Sequence, residues 1–273
     1  FTFISHDLGL VSQIADRTLV MYHGNIVEEG TVHEIFKAPK KTYTKALMSS
    51  RPGLKGRLKL LPTISSLAKK EFNPIEITPQ ERAFKHKYIY TKTPILEILN
   101  IKKEYYSDAG FLNKKKIVKA VDDISFKVFE GETLGLVGES GCGKSTLGRV
   151  ILQLDKSTSG SIKYKGKELT TLSSNELRKL RKDIQLIFQD PYSSLNPRML
   201  IGETIMEPMQ VHQIGKNDRE RKNKVISILK SVELDASFFN RYPHELSGGQ
   251  RQRVGIARTI AMEPKLIVCD ESV

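Results

Sequence analysis

The sequence predicts an α/β fold built around a phosphate-binding loop, and three apolar runs support this prediction. Residues 134–146 read LGLVGESGCGKST, where the first run passes into G-x-x-x-x-G-K-S and then into apolar residues at helical spacing. The second run, 184–188, ends at the amide Gln189, and the third, 265–269, ends at Asp270 and Glu271. Polar side chains at the carboxyl ends of strands lie where α/β sheets bind ligands. The runs therefore indicate a ligand site at strand ends.

The loop itself has the composition of an anion site. Its glycines let the backbone curl so that successive N–H groups point inward, and the following helix adds unpaired N–H groups and its positive dipole end. Lys144 would reach the β and γ phosphates of a nucleotide, and Ser145 would ligate Mg²⁺. The residues expected to bind ATP here are Gly138, Glu139, Ser140, Gly141, Cys142, Gly143, Lys144, Ser145 and Thr146.

Composition narrows the class of protein. Lysine and arginine number 44 against 31 aspartate and glutamate, a formal net charge of +13 over 273 residues. The basic residues are scattered, and no helix-turn-helix, zinc-finger or RNP-type pattern accompanies them, so we expect no nucleic-acid partner. The two cysteines form neither a disulfide framework nor a metal set. No apolar run approaches the roughly 20 residues that cross a bilayer.

Residues 1–50 read as a small folded block. A short apolar strand leads to His6, and a helix follows over 8–15. Residues 18–22 and 25–28 alternate as two strands of a hairpin. Thr31 and Glu34 form a T-x-x-E capping box for a further helix, which Pro39 ends, and residues 43–50 add another helical stretch.

Residues 51–92 are rich in proline, glycine and lysine, and we interpret them as a basic connector with little core of its own. A second unit, 93–273, opens with strands over 95–99 and 121–128. Between these strands Tyr105 is a candidate to stack on an adenine base through its flat ring, the alternative being a partly buried tyrosine at a strand end.

The second unit continues with signals of a mixed fold. A strand is predicted at 161–164, a capping box at Ser173 and Glu176, and a helix at about 219–232, whereas prolines break 190–209 into an irregular segment. At L-S-G-G-Q, Ser247 and Gln250 form another capping box, and glycines leave the first-turn N–H groups open to an anion. The residues of this sequence are Leu246, Ser247, Gly248, Gly249 and Gln250.

The strand ends supply the remaining chemistry. Asp270 is suited to Mg²⁺, through water or Ser145, and Glu271 to polarising an attacking water as general base. Gln189 could coordinate Mg²⁺ or its water, and it could sense whether the γ phosphate is present. An Asp-Glu pair at a strand end is often a solvated turn, but the other motifs in the same order favour the catalytic interpretation.

The order of phosphate loop, Gln189 strand, L-S-G-G-Q and Asp270-Glu271 strand resembles an ATP-binding cassette (ABC) ATPase. The resemblance implies a P-loop NTPase core with an antiparallel β subdomain and a helical signature subdomain over 93–273. Residues 1–50, with I-S-H-D-L and M-Y-x-G-x-I-V-E-x-G, resemble the C-terminal end of another cassette. His6 there occupies the position of the family's switch histidine, which contacts the γ phosphate and the attacking water. The resemblance thus implies two cassettes joined by the linker 51–92, the second stopping just after its Asp270-Glu271 strand.

Further segments are similar to the ATP-binding subunits of oligopeptide, dipeptide and nickel importers. They are IFQDPYSSLNPRM at 187–199, Y-T-K-A-L at 43–47 and L-P-T-I at 61–64. This likeness implies ATP and Mg²⁺ as cofactors and membrane permease subunits that contact the segment after Gln189. It also implies a second cassette closing over each ATP, an indirect solute-binding protein, and a peripheral position on the cytoplasmic face of the membrane. We expect the isolated chain to bind ATP weakly and to hydrolyse it poorly.

A different class remains open at the level of sequence. A ribosome-associated translation factor with two cassettes would also suit the basic linker. The proline-broken linker and the importer-like segments favour the transporter.

Overall fold

The computed structural model describes residues 2–5, 8–22, 24–49, 56–60, 62, 74–107, 116–188 and 195–270. The chain divides into two units, Phe1–Tyr88 and Ile89–Val273. In the described residues no helix combines the length and the apolar character that crossing a membrane requires.

The first unit contains a β-hairpin between short helices. Its elements are α1 (Leu8–Ile14), β1 (Arg17–Tyr22), β2 (Asn25–Thr31), α2 (Val32–Lys37), α3 (Thr42–Ser49) and α4 (Pro79–Ile89). The hairpin, α2 and α3 match the sequence prediction. The capping box of α2 is confirmed: Thr31 N donates to Glu34 Oε2 at 2.8 Å and Glu34 N donates to Thr31 Oγ1 at 3.3 Å. The strand predicted at the start is absent from residues 2–5, where Ile4 is 93% exposed and has no ladder to join.

Helix α4 is an element that the sequence analysis does not predict, within the segment interpreted as a connector with little core of its own. Thr78 and Glu81 form a capping box, with Thr78 N donating to Glu81 Oε2 at 2.8 Å and Glu81 N to Thr78 Oγ1 at 3.2 Å. Pro79 occupies the first helical position, where its missing N–H costs no hydrogen bond. The sequence T-P-Q-E carried this signal, but the surrounding prolines and lysines obscured it.

The second unit begins with an antiparallel sheet of order β4-β3-β5-β6. Its strands are β3 (Pro94–Ser107), β4 (Lys116–Phe129), β5 (Ser159–Tyr164) and β6 (Lys167–Glu168). Ile98 of β3 lies opposite Phe126 of β4 and Ile162 of β5, and Ile98, Ile101 and Ile162 are fully buried. This core continues into the helix that follows the phosphate loop, α5 (Lys144–Ile151), through Leu147 and Val150.

A parallel pair of strands lies next to this core. After α6 (Ser174–Leu180), strand β7 (Ile184–Ile187) pairs with β8 (Leu266–Cys269) in parallel, Ile184 opposite Leu266. The strand expected before the phosphate loop is not present, because residues 132–139 join no ladder among the described residues. Val137 is 92% exposed. An apolar run becomes a strand only where neighbouring strands accept its hydrogen bonds, and this run has none.

Three helices form a separate core in the second unit: α7 (Ile201–Val211), α8 (Asp218–Ser231) and α9 (Gly248–Ile260). Helix α7 contradicts the irregular segment predicted from its prolines. Pro208 inside a helix costs about 3 kcal/mol. Ile201, Ile205 and Met209 are fully buried on one face at a spacing of four, and each contributes about 1.5–3 kcal/mol. Burial therefore outweighs the proline.

Candidate nucleotide-binding site

The phosphate loop is pressed against strand β4 at Gly143. Its φ is 101°, and a Cβ at this position would lie 2.1 Å from the carbonyl oxygen of Ala120. Both the left-handed backbone and the lack of space require glycine. Helix α5 begins at the next residue, Lys144, so this contact fixes where the helix N-terminus points.

Lys144 spans the loop with its side chain. Its Nζ donates to the carbonyl oxygens of Gly138 and Glu139, each at 2.8 Å, and lies 3.8 Å from Cys142 Sγ. The ammonium group is thus held at the mouth of the loop by main-chain acceptors. A terminal phosphate bound in the loop would meet this charge and the N–H groups at the start of α5.

Ser145 and Asp270 meet although they come from distant parts of the sequence. Ser145 Oγ donates to Asp270 Oδ1 at 2.9 Å. Helix α5 reaches β8 because it packs closely on it, and a Cβ at Gly148 would lie 3.4 Å from Val268 Cγ1. The structure therefore brings together the hydroxyl and the carboxylate that the sequence assigned to Mg²⁺.

The donor chemistry at this contact fits Mg²⁺. A hydroxyl and a carboxylate offer the oxygen ligands that Mg²⁺ prefers, and phosphate oxygens and waters normally complete its shell. Ser145 and Asp270 would hold the ion. Among the residues predicted to touch the ion, Gln189 lies outside the described residues.

His6 and Glu271 also lie outside the described residues, so these assignments stay predictions. The strands that lead to Gln189 and to Glu271 do end side by side. Ile187 lies opposite Cys269, and Asp270 N donates to the Ile187 carbonyl oxygen at 3.0 Å. The parallel pair therefore converges on the sheet edge where Asp270 meets Ser145.

Tyr105 lies on β3, near the point where β4 contacts the phosphate loop. It is 42% exposed and pairs with Val118 of β4, two residues from Ala120, whose carbonyl oxygen abuts Gly143. Strands rise about 3.4 Å per residue and paired Cα atoms are about 5 Å apart, so Tyr105 and Ala120 are about 8 Å apart at their Cα atoms. An exposed ring at this distance suits a base whose phosphates occupy the loop.

Two charged residues that the sequence did not single out, Arg149 on α5 and Asp155 in the loop after it, link this helix to the Tyr105 ring. Arg149 Nε donates to Asp155 Oδ2 at 2.8 Å, and Tyr105 Oη donates to the same oxygen at 3.4 Å. No spacing rule connects these three residues, since their contact depends on how the loop after α5 returns to β3. Only the folded structure could reveal them.

The L-S-G-G-Q sequence forms the capped N-terminus of α9, as predicted. Ser247 N donates to Gln250 Oε1 at 2.9 Å and Gln250 N donates to Ser247 Oγ at 3.3 Å. Leu246 is buried, and its carbonyl oxygen accepts two hydrogen bonds from the Arg251 guanidinium. Ser247, Gly248 and Gly249 are exposed, so the first-turn N–H groups face outward.

Residues 121–273 match the profile of the ABC transporter family. The match covers more than half of the chain and includes the phosphate loop, the L-S-G-G-Q sequence and the Asp270 strand. The chain belongs to the ABC transporter family.

Particular relatives narrow the comparison. The chain is 46% identical over 276 residues to the glutathione import ATP-binding protein GsiA of Escherichia coli K12 and 43% identical over 275 residues to GsiA of Pectobacterium atrosepticum. Each match covers 99% of this chain and 43% of the relative, so the chain spans less than half the length of these proteins.

Solved structures share the fold. A dimeric, post-hydrolysis structure of the ATP-binding cassette MJ0796 bound to ADP and Pi matches with a TM-score of 0.59 and 33% identity, covering 65% of this chain and 74% of that one. The cbiO1 protein of Clostridium perfringens, part of the transporter complex cbiONQ, matches with a TM-score of 0.53 and 27% identity, covering 66% of each chain. The predicted P-loop NTPase fold of the ABC type is confirmed.

Proposed function

We propose that this chain is part of the ATP-binding and ATP-hydrolysing subunit of an ABC importer for peptides or related small solutes. The contact between Ser145 and Asp270 at 2.9 Å carries the proposal, because a hydroxyl and a carboxylate at this distance, next to the phosphate loop in sequence and in space, support an Mg²⁺ site. The GsiA relatives, named for glutathione import, support an importer. Glutathione is itself a small peptide, which agrees with the importer-like segments at 43–47 and 187–199.

Each residue of the site has a defined task in this proposal. Lys144 and the N–H groups of α5 bind the β and γ phosphates, and the Tyr105 ring stacks on the adenine. Ser145 and Asp270, with Gln189, hold the Mg²⁺, which when bound neutralises charge on the phosphates. Glu271 accepts the proton of the attacking water as general base.

A second cassette completes each site in the proposed mechanism. The L-S-G-G-Q sequence of one cassette closes over an ATP held by the phosphate loop of the other, and hydrolysis lets the two part. The exposed N-terminus of α9 supports this role. A single chain without a second cassette would accordingly hydrolyse ATP slowly.

We further propose the domain division 1–50, 51–92 and 93–273, with 1–50 as the end of a first cassette and His6 as its switch histidine. The hairpin β1–β2 and the capped α2 support a folded element there. The family profile matches only the second unit, so the first cassette rests on the sequence resemblance alone.

The proposed partners are membrane permease subunits, which would contact the segment after Gln189, and indirectly a solute-binding protein. The chain would then lie peripherally on the cytoplasmic face of the membrane. The ribosome-associated alternative is not favoured, because the relatives are import ATP-binding proteins.

Lys144→Ala tests the proposal directly. Calorimetric titration with ATP and Mg²⁺ should show at least a tenfold loss of affinity for ATP, because the ammonium group that binds the terminal phosphates is removed. Lys179→Ala, an exposed lysine on α6, removes the same charge elsewhere and should leave affinity unchanged. Equal affinities for the unmodified chain and Lys144→Ala would refute phosphate binding by this loop.

A further inference from the structure

The loop that follows α5 is joined to strand β3 at several points. Lys103 Nζ donates to the Lys156 carbonyl oxygen at 2.8 Å, and Glu104 N donates to Thr158 Oγ1 at 2.9 Å. Thr158 N donates in turn to the Lys102 carbonyl oxygen at 2.8 Å. These contacts fix the loop against the part of β3 that carries Tyr105.

The same loop is joined to the phosphate-loop helix. Arg149 of α5 forms an ion pair with Asp155, with Nε 2.8 Å from Oδ2, and its carbonyl oxygen accepts from Leu154 N at 3.0 Å. Arg149 is five residues after Lys144 on one short helix. Asp155 therefore lies between the helix that begins at the phosphate loop and the strand that carries the aromatic ring.

One carboxylate oxygen serves both sides. Asp155 Oδ2 accepts from Arg149 Nε at 2.8 Å and from Tyr105 Oη at 3.4 Å. The hydrogen bond from Arg149 holds the pKa of Asp155 below its usual 3.8 despite partial burial, with Tyr105 adding a smaller effect in the same direction. The carboxylate is accordingly ionised at neutral pH and remains an acceptor for the tyrosine hydroxyl.

A cation also lies over the ring of Tyr105. Lys103 Nζ lies 4.8 Å from the ring centroid, and the same ammonium group is bound to the loop at Lys156. One end of the ring is thus tied to Asp155, and a cation attached to the same loop contacts its face. A tyrosine that merely ended a strand would need neither restraint.

We propose that Asp155 is a positioning residue that holds the Tyr105 ring at a fixed place relative to the phosphate loop. It acts through Arg149 on α5 and through the Tyr105 hydroxyl, so the base and the phosphates of one nucleotide meet a rigid pair of sites. The inference rests on the proposed function, since it needs ATP in this loop. It predicts that Asp155 affects binding of the base and leaves binding of the phosphates unchanged.

The test compares two ligands on the full 273-residue chain. ATP presents base and phosphates, whereas inorganic tripolyphosphate presents phosphates alone. Calorimetry with Mg²⁺ should show a three- to tenfold loss of ATP affinity in Asp155→Ala and a change of less than twofold for tripolyphosphate. Retained tripolyphosphate binding also shows that the variant is folded.

Two further variants separate positioning from general damage. Tyr105→Phe removes only the hydroxyl and should weaken ATP binding to a similar degree, and Asp155→Ala combined with Tyr105→Phe should lose no more than either alone. Glu263→Ala breaks a comparable exposed ion pair, with Lys224, and serves as the matched control with no expected change.

The possible results are distinct. Equal weakening of ATP and tripolyphosphate by Asp155→Ala, unchanged ATP affinity, or additive losses in the double variant would each overturn the inference while leaving the proposed function intact. Failure of the unmodified chain to bind ATP at all would overturn the proposed function and this inference with it.

Discussion

At Gly143 the fold leaves no space for a side chain. The backbone φ is 101°, and a Cβ would lie 2.1 Å from the Ala120 carbonyl oxygen. We expect Gly143→Ala to lower the free energy of unfolding by about 2–4 kcal/mol, since left-handed strain alone costs about 1–3 kcal/mol and the clash adds to it. Urea unfolding followed by circular dichroism measures the change.

Gly255 provides the control for this substitution. It lies inside α9, and no atom is within 4 Å of a Cβ built there. Gly255→Ala should therefore raise the free energy of unfolding by up to about 1 kcal/mol, as expected for alanine in a helix. A stable Gly143→Ala variant, equal to Gly255→Ala, would contradict the proposed crowding at the loop.

The site residues show how much of the site the sequence can predict. The motif named Lys144, Ser145 and Asp270, because their order along the chain fits phosphate and metal chemistry. It could not supply the 2.9 Å contact across 125 positions, which depends on α5 packing against β8. The sequence does not predict a role for Asp155 for a related reason, since its contacts with Arg149 and Tyr105 depend on the path of the loop that returns to β3.

At the scale of an element, the N-terminus of α9 depends on its capping box. Ser247 accepts from Gln250 N, and Gln250 accepts from Ser247 N. Ser247→Ala should lower the free energy of unfolding by about 1 kcal/mol, because one first-turn N–H loses its acceptor. Ser174→Ala on α6 is a matched exposed serine outside a cap position. A loss no greater than that of Ser174→Ala in urea unfolding would show that the cap contributes nothing.

The contact between β5 and β6 is predicted to weaken in acid through Glu168 of β6. Burial opposes ionisation of this carboxyl, but hydrogen bonds from Ser161, Thr170 and Ile162 N outweigh it and lower its pKa to about 2 from 4.5. A lowered pKa contributes stability above the unfolded value, and this contribution is lost as pH falls from about 4.5 to about 2.

Glu168→Gln isolates this contribution. At neutral pH the variant should be less stable than the unmodified chain, and the difference between the two should shrink as pH falls toward about 2. Unfolding free energies measured from pH 7 downward give the comparison. A difference that stays constant over that range would mean that the ionised form of Glu168 has no special stability.

Elements divide into those that local sequence determines and those that packing decides. The capping boxes at Thr31, Ser173 and Ser247 were predicted because both partners lie three residues apart. The sequence does not predict helix α7, because its prolines disfavour a helix. The burial of Ile201, Ile205 and Met209, which outweighs that cost, is apparent only in the folded structure. The strand expected at 134–137 was wrong for the opposite reason, since an apolar run needs partner strands that sequence periodicity does not reveal.

At the scale of the whole molecule, the order of motifs along the chain determined the family more reliably than any one motif did. A capped helix or an Asp-Glu strand end is common by itself. Their succession after a phosphate loop predicted the ABC fold, which the family profile and the structure of MJ0796 confirm. Composition helped little, because a net charge of +13 fits many classes of protein.

ATP hydrolysis by the assembled transporter tests Glu271 as the general base. If Glu271 is the general base, Glu271→Gln keeps the shape of the side chain but cannot accept a proton, so ATP hydrolysis should fall by about 10²–10⁴-fold. ATP binding should be unchanged, because Lys144, Ser145 and the N–H groups of α5 are intact. Phosphate release and nucleotide binding, measured on the same preparation, separate the two effects.

Glu263→Gln makes the same chemical change at an exposed ion pair with Lys224 and should leave turnover unaltered. Normal hydrolysis in Glu271→Gln would exclude this residue as the base and would leave Gln189 as the group to examine. Loss of binding together with hydrolysis would instead mean that Glu271 helps to hold the Mg²⁺ beside Asp270. Retained binding without hydrolysis is the expected result, because Lys144, Ser145 and Asp270 are proposed to hold the nucleotide and its ion, whereas Glu271 is proposed to activate the water.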